Sequence, residues 1–78
     1  PSTAITFRLS ELRETSLEIF DLRGRRVKIL FQGRTGRGSH TVYWDGTDSK
    51  GRRLASGIYF YRLKAGEKSI TRKMILEK

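Results

Sequence analysis

Residues 44–63 read WDGTDSKGRRLASGIYFYRL. A Trp-Asp-Gly triplet is followed by a polar run with a second Asp and a second Gly, and then by a segment dense in aromatic residues. The last part decides the period. In an extended chain Tyr59, Tyr61 and Leu63 share one face, while Ile58 and Phe60 share the other. A strand that is apolar on both faces is expected in the middle of a sheet, covered on each side. Trp44 stands at the end of a preceding strand, where a large ring can close one end of a thin core. Asp45-Gly46 and Asp48-Ser49-Lys50-Gly51 are turn sequences, because Asp accepts hydrogen bonds from nearby backbone N–H groups and Gly takes the φ that other residues resist. Ala55-Ser56-Gly57 are small enough to let another backbone approach. A tyrosine early in such a strand can bond back to a loop carbonyl, as in the tyrosine corner of sandwich domains.

Outward from this stretch the apolar period stays near two. Ala4–Leu9 alternates, with Ile5, Phe7 and Leu9 on one face. Ser16–Asp21 sets Leu17 and Ile19 together with Glu18 opposite. Asp21-Leu22-Arg23-Gly24 reads as a tight turn into a strand over Arg26–Phe31. Gly33–Ser39 reads as loop, His40–Trp44 as a strand with Val42 and Trp44 on one face, and Gly57–Ala65 as the aromatic strand. A hairpin turn at Ala65-Gly66-Glu67-Lys68 leads into a last strand over Ser69–Leu76. A rival helix over Leu9–Leu22 has roughly helical spacing, but Thr15, the Asp-Leu-Arg-Gly turn and the lack of an N-cap argue against it. No internal repeat is read. Short strands divided by turns imply an all-β chain, an immunoglobulin-like antiparallel β-sandwich.

With 78 residues the chain is one domain, 1–78, with a thin core and little room for a deep cleft. It has no cysteine, so no disulfide or thiolate site holds it. Seventeen Lys and Arg against eight Asp and Glu give a net charge of +9, which attracts polyanions without specifying one. No apolar run reaches the roughly 20 residues of a membrane-spanning helix, and the N-terminus lacks a signal-peptide layout. The chain is read as a piece of a larger exported protein.

Catalysis needs a base, a nucleophile or a metal within mutual reach, and His40 is the only histidine. No catalytic residue, metal site or cofactor is expected, and the chain is read as a non-enzyme. Asp45, Thr47, Asp48 and Ser49 crowd oxygens into one loop, yet the spacing lacks the ligands of a calcium loop and Lys50, Arg52 and Arg53 stand beside it. Turn chemistry accounts for them. Gly33-Arg34-Thr35-Gly36-Arg37-Gly38 lacks the ending of a nucleotide loop. Arg23, Arg25, Arg26, Lys28, Arg34 and Arg37 form a candidate polyanion patch, with weak contact expected and no specific nucleic acid. Trp44, Tyr59 and Tyr61 could form a sugar-stacking platform, although core packing explains them more simply.

The ordered set of landmarks resembles the FlgD-type Ig-like module found at the C-terminus of many cargo proteins of the type IX secretion system. They are Pro1-Ser2-Thr3, SLEIFDLRGRRV over 16–27, the stretch from Trp44 on to Gly66, and TRKMILEK over 71–78. The match covers nearly the whole chain. The resemblance marks Asp21, Gly24, Trp44, Asp45, Gly46, Gly51, Gly57 and Tyr59 as the structural signature and implies a sandwich of about seven strands. It also implies a non-catalytic sorting signal or surface-attachment module, recognised through Lys73, Met74, Ile75, Leu76 and Lys78. The implied partners are the outer-membrane export machinery and upstream catalytic or binding domains of the parent. The expected location is secreted or at the cell surface by way of the periplasm. The alternatives are an accessory binder of glycan or anionic polymer, and a structural module of the flagellar hook-cap type.

Overall fold

The computed structural model describes residues 2–77; Pro1 and Lys78, both named above, lie outside the described residues. The strands are β1 (Thr3–Leu9), β2 (Arg13–Phe20), β3 (Arg26–Thr35), β4 (Gly38–Trp44), β5 (Gly57–Ala65) and β6 (Lys68–Leu76). They form two antiparallel sheets, β1-β4 and β3-β2-β5-β6, so the all-β sandwich expected from the alternation is the fold. Six strands stand among the described residues, one fewer than the resemblance implies. A single bridge, Thr47 to Arg53, adds a short pairing inside the long β4–β5 connection.

The core lies between the sheets. Ile5, Phe7 and Leu9 of β1 and Trp44 of β4 face Leu17 and Ile19 of β2, Tyr59 of β5 and Leu76 of β6. Leu17 and Ile19 are fully buried because β2 lies between β3 and β5 and its inner face is roofed by the second sheet. Each such side chain contributes roughly 1.5–3 kcal/mol through removal from water.

Several boundaries differ from the expected ones; β2, expected over Ser16–Asp21, runs from Arg13 to Phe20. Residues 33–39, expected as a loop, are mostly strand: β3 runs to Thr35, β4 begins at Gly38, and only Gly36 and Arg37 make the turn. The cause is long-range pairing. Arg13, Glu14 and Thr15 of β2 lie opposite Thr35, Arg34 and Gly33, so the ladder outweighs the glycine content. The rival helix over Leu9–Leu22, argued against from the sequence, does not form: these residues span the end of β1, all of β2 and the start of the turn after it. The register of β2 against β3 shifts between Leu17 and Glu18 and again between Ile19 and Phe20. These bulges leave Leu30 and Val27 as extra residues that pack on the core from the edge of the sheet.

The expectation that β5 is covered on both faces holds for one only. Tyr59 is buried, whereas Ile58 and its cross-strand partner Ile75 are exposed on the outer side. Two strands roof four, and the outer face of the larger sheet has no layer over it among the described residues.

Gly46 shows how tightly the closed end is packed. Its φ is +82°, and a Cβ there would stand 3.1 Å from a methyl of Leu76, itself 2% exposed. Gly51 has a similar φ of +79° but open space around it. Gly46→Ala should therefore cost about 2 kcal/mol or more and Gly51→Ala about 1 kcal/mol. Urea unfolding of the two variants checks the order; equal costs would contradict the packing of Gly46 on Leu76.

Candidate functional site

The chemistry-bearing residues gather at one end of the sandwich, around two turns of the same construction. In the first, Asp21 Oδ1 accepts the backbone N–H groups of Arg23 and Arg25, each at 2.9 Å, and Oδ2 accepts Arg25 Nε at 3.0 Å. In the second, Asp48 Oδ1 accepts the N–H groups of Lys50 (2.9 Å) and Arg52 (3.0 Å), and Oδ2 accepts Arg52 Nε at 3.1 Å. Each turn is closed by a Gly N–H, Gly24 to Asp21 and Gly51 to Asp48, both at 3.0 Å. Each Gly has a φ near +80°, +84° and +79° respectively. Asp-Leu-Arg-Gly-Arg at 21–25 and Asp-Ser-Lys-Gly-Arg at 48–52 are thus one turn used twice. The Asp-x-x-Gly-Arg spacing was the signal available in the sequence, and the reading that no repeat exists missed it because the intervening residues differ.

A third link joins the turns to the sheet. Ser49 donates its N–H to the Val27 carbonyl at 3.0 Å, which seats the second turn beside the start of β3. Between them lies an open basin of about 500 Å³, lined among others by Asp21, Arg25, Asp48, Ser49, Arg52 and Tyr59. Its carboxylates and guanidiniums are already paired with each other. Backbone N–H donation from Arg25 is the largest influence on Asp21, and that from Arg52 on Asp48; both carboxyls are held below their ordinary value of 3.8. The crowded oxygens of the β4–β5 loop are spent in the same way. Asp45 Oδ1 accepts the Thr47 hydroxyl (2.6 Å) and N–H (3.1 Å), so turn chemistry accounts for the loop. Among the described residues no three His, Asp or Glu side chains converge as a metal site requires.

Beneath the basin sits the signature pair. Trp44 is 0% exposed, and its indole N–H donates to the Thr47 carbonyl at 2.9 Å. Its ring meets Tyr59 edge-on, with centroids 5.3 Å apart. The Tyr59 hydroxyl donates to the Ala55 carbonyl at 2.7 Å, the tyrosine corner anticipated from its place in the strand. Since Trp44 and Tyr59 are buried, the sugar-stacking platform does not exist.

The basic residues do not form one patch. Arg23 and Arg25 lie in the first turn. Arg26 Nη1 is bound to Glu18 at 2.9 Å on the outer face of the larger sheet, and Lys28 Nζ reaches the Thr47 hydroxyl at 2.9 Å on the core side. Arg34 and Arg37 stand at the opposite end of the β2–β3 ladder, roughly 30 Å away at strand rise. His40 is half-buried in β4, stacked on Phe7 with centroids 5.4 Å apart, and donates from Nε2 to the Gly36 carbonyl at 2.7 Å. On β6, Lys73 and Ile75 point outward, Met74 and Leu76 pack inward, and Lys78 lies outside the described residues.

A family model described as FlgD Ig-like domain matches residues 2–69. Among solved structures, the crystal structure of FlgD from P. aeruginosa is similar, with a TM-score of 0.76 and 21% sequence identity. The alignment covers 96% of this chain and 58% of that one, so the chain spans little more than half the length of the matched protein. At that identity the likeness speaks for the fold. No curated protein sequence matches the chain.

The lowered Asp values give a pH prediction. A carboxyl whose folded value lies below its unfolded value adds stability above the unfolded value and loses it as pH falls through the folded one. Stability of the native chain should therefore drop as pH is taken below 3.8. The Asp21→Asn/Asp48→Asn double variant should start lower at neutral pH and fall less steeply over that window, as read by thermal unfolding at a series of pH values. Parallel curves would show that the turns do not carry the acid response.

Proposed function

Since the chain belongs to the FlgD Ig-like domain family, we propose that it is a non-catalytic structural module of the flagellar hook-cap type, a block that helps a longer protein take its place in an extracellular assembly. The observation that carries this reading is how the charged groups of the turns and of the larger sheet are used. Asp21 holds Arg25, Asp48 holds Arg52, and Glu18 holds both Arg26 and Arg62, so the side chains that could do acid–base or ligand chemistry instead fix loops and strands. What this leaves for a partner is shape and surface, supplied by a scaffold whose loops are tied down. Partners in this reading are neighbouring subunits and the remainder of the parent chain, met outside the cell after export through the periplasm.

One observation favours a second reading, that of a sorting signal for outer-membrane export. The last strand, β6, lies at the edge of its sheet, with Lys73 and Ile75 exposed. An export receptor could reach its unpaired backbone groups there. In this reading Lys73, Met74, Ile75 and Leu76 carry recognition, and the basic turns do not.

A graft separates the two. Residues 2–77 replace the Ig-like part of a flagellar hook-capping protein, and completed hooks are counted by electron microscopy. The structural reading expects hooks, and expects them to be lost with Trp44→Ala. A chimera that is folded and exported but builds no hook would overturn it. The sorting reading would gain if the same residues, fused to a neutral reporter in a host with type IX export, reached the surface in a manner sensitive to Lys73→Glu and Ile75→Glu.

A further inference from the structure

The outer face of the β3-β2-β5-β6 sheet is where the structure departs most from a self-contained domain. Phe20 and Phe60 lie opposite each other on β2 and β5. Ile58 and Ile75 pair on β5 and β6 and continue the apolar surface there, while Ile29 on β3 stands opposite Glu18. Ile75 is 60% exposed, and Ile29 and Ile58 are also exposed. Apolar residues scattered singly need no explanation, but a set that runs across β2, β5 and β6 on one sheet face marks an interaction surface.

The polar groups of this face point to the chemistry of a partner. Glu18 is buried beside the phenylalanines, and its two oxygens are taken by Arg26 (2.9 Å) and Arg62 (3.0 Å). Burial raises the Glu18 carboxyl and the two guanidiniums outweigh it, so the group stays ionised. The Arg62 guanidinium lies over the Phe20 ring, 4.7 Å from its centroid. Its Nε is buried without an acceptor among the described residues, which leaves one donor unspent. A pocket of about 270 Å³, lined by Phe20, Gly24, Phe60, Arg62 and Thr71, lies at the same place. It falls below the roughly 300–1,000 Å³ of small-molecule sites and fits a single anchoring side chain. Lys73 stands opposite Phe60 and Lys64 opposite Ser16 on the same face. Arg26, Arg34, Arg62, Lys64 and Lys73 thus outnumber Glu14 and Glu18 on this face, and the whole chain carries +9. That charge opposes a second copy and complements an acidic partner.

We propose that this outer face docks an acidic polypeptide segment bearing an aromatic or large aliphatic side chain, which anchors between Phe20 and Phe60 while its carboxylates meet Arg62 and Lys73. The apolar anchor supplies area, and the carboxylates supply direction and selectivity. The proposal rests on the reading of the chain as an assembly module, since it names the chemistry of what that module meets. Its test is independent of the graft above, so the face can fail while hook assembly stands, and the reverse.

The test is a titration of the isotope-labelled chain with a capped heptapeptide, Glu-Asp-Phe-Glu-Asp-Phe-Glu, followed by backbone amide shifts. The control peptides carry Ala for Phe or Lys for the acidic residues. The expected result is saturable shifts centred on Phe20, Phe60, Arg62 and Thr71, with both controls at least ~10-fold weaker. Ile75→Glu and Lys73→Glu, at exposed positions and with the fold of each variant checked by its amide spectrum, should each weaken binding by a similar factor. Four results overturn the proposal: no shifts, equal binding of the Ala peptide, shifts centred on Arg23 or Arg34 instead, or self-association of the chain through this face.

Discussion

A buried indole needs an acceptor for its N–H, and in this chain the need is met by a loop rather than a strand. Trp44 closes the end of the core and donates to the Thr47 carbonyl. An unpaired N–H at that depth would cost roughly 1–3 kcal/mol, so the β4–β5 connection must fold back over the ring. Asp45 caps the bend through the hydroxyl and N–H of Thr47. Gly46 passes close against Leu76, and Leu54 returns its N–H to the Gly46 carbonyl at 2.9 Å. Tyr59 then fixes the far end of the connection by bonding Ala55 while presenting its ring to Trp44. A long loop that would ordinarily be mobile is thereby made part of the scaffold.

The paired Asp turns extend the same economy to the charged residues. Each uses one carboxylate to satisfy two backbone donors and one arginine, and the hydrogen bond from Ser49 to Val27 locks one turn to the strand that leaves the other. A domain with a thin core and no disulfide gains rigidity where few apolar groups are available. The consequence for function is that the densest cluster of ionisable groups is structural. In the proposed reading, recognition falls to the sheet face that has no layer over it among the described residues and to the edge strands.

Much of this was legible in the sequence, and the gaps have physical causes. Alternation placed Ile5, Phe7, Leu9, Leu17, Ile19, Trp44 and Tyr59 in the core because a strand has only two faces and the apolar one had to turn inward. The tyrosine corner and the Asp-Gly turns were legible because their chemistry is local. The strand content of residues 33–39 was not, since it depends on pairing with Arg13–Thr15 about twenty residues earlier in the chain. Nor was the role of Glu18: its two arginines come from the neighbouring strands β3 and β5, a juxtaposition that only the register produces. The basic residues looked like one patch because they are close in sequence, but the length of β3 holds Arg34 and Arg37 far from Arg23 and Arg25.

The most direct test of the closed end is the emission of Trp44, the only tryptophan. The structure predicts a blue-shifted spectrum with little quenching by acrylamide, both shifting toward the solvent-exposed values when Tyr59→Ala opens the corner. A red-shifted, freely quenched tryptophan in the unmodified chain would show that the ring does not close the core and that the loop built around it is not fixed.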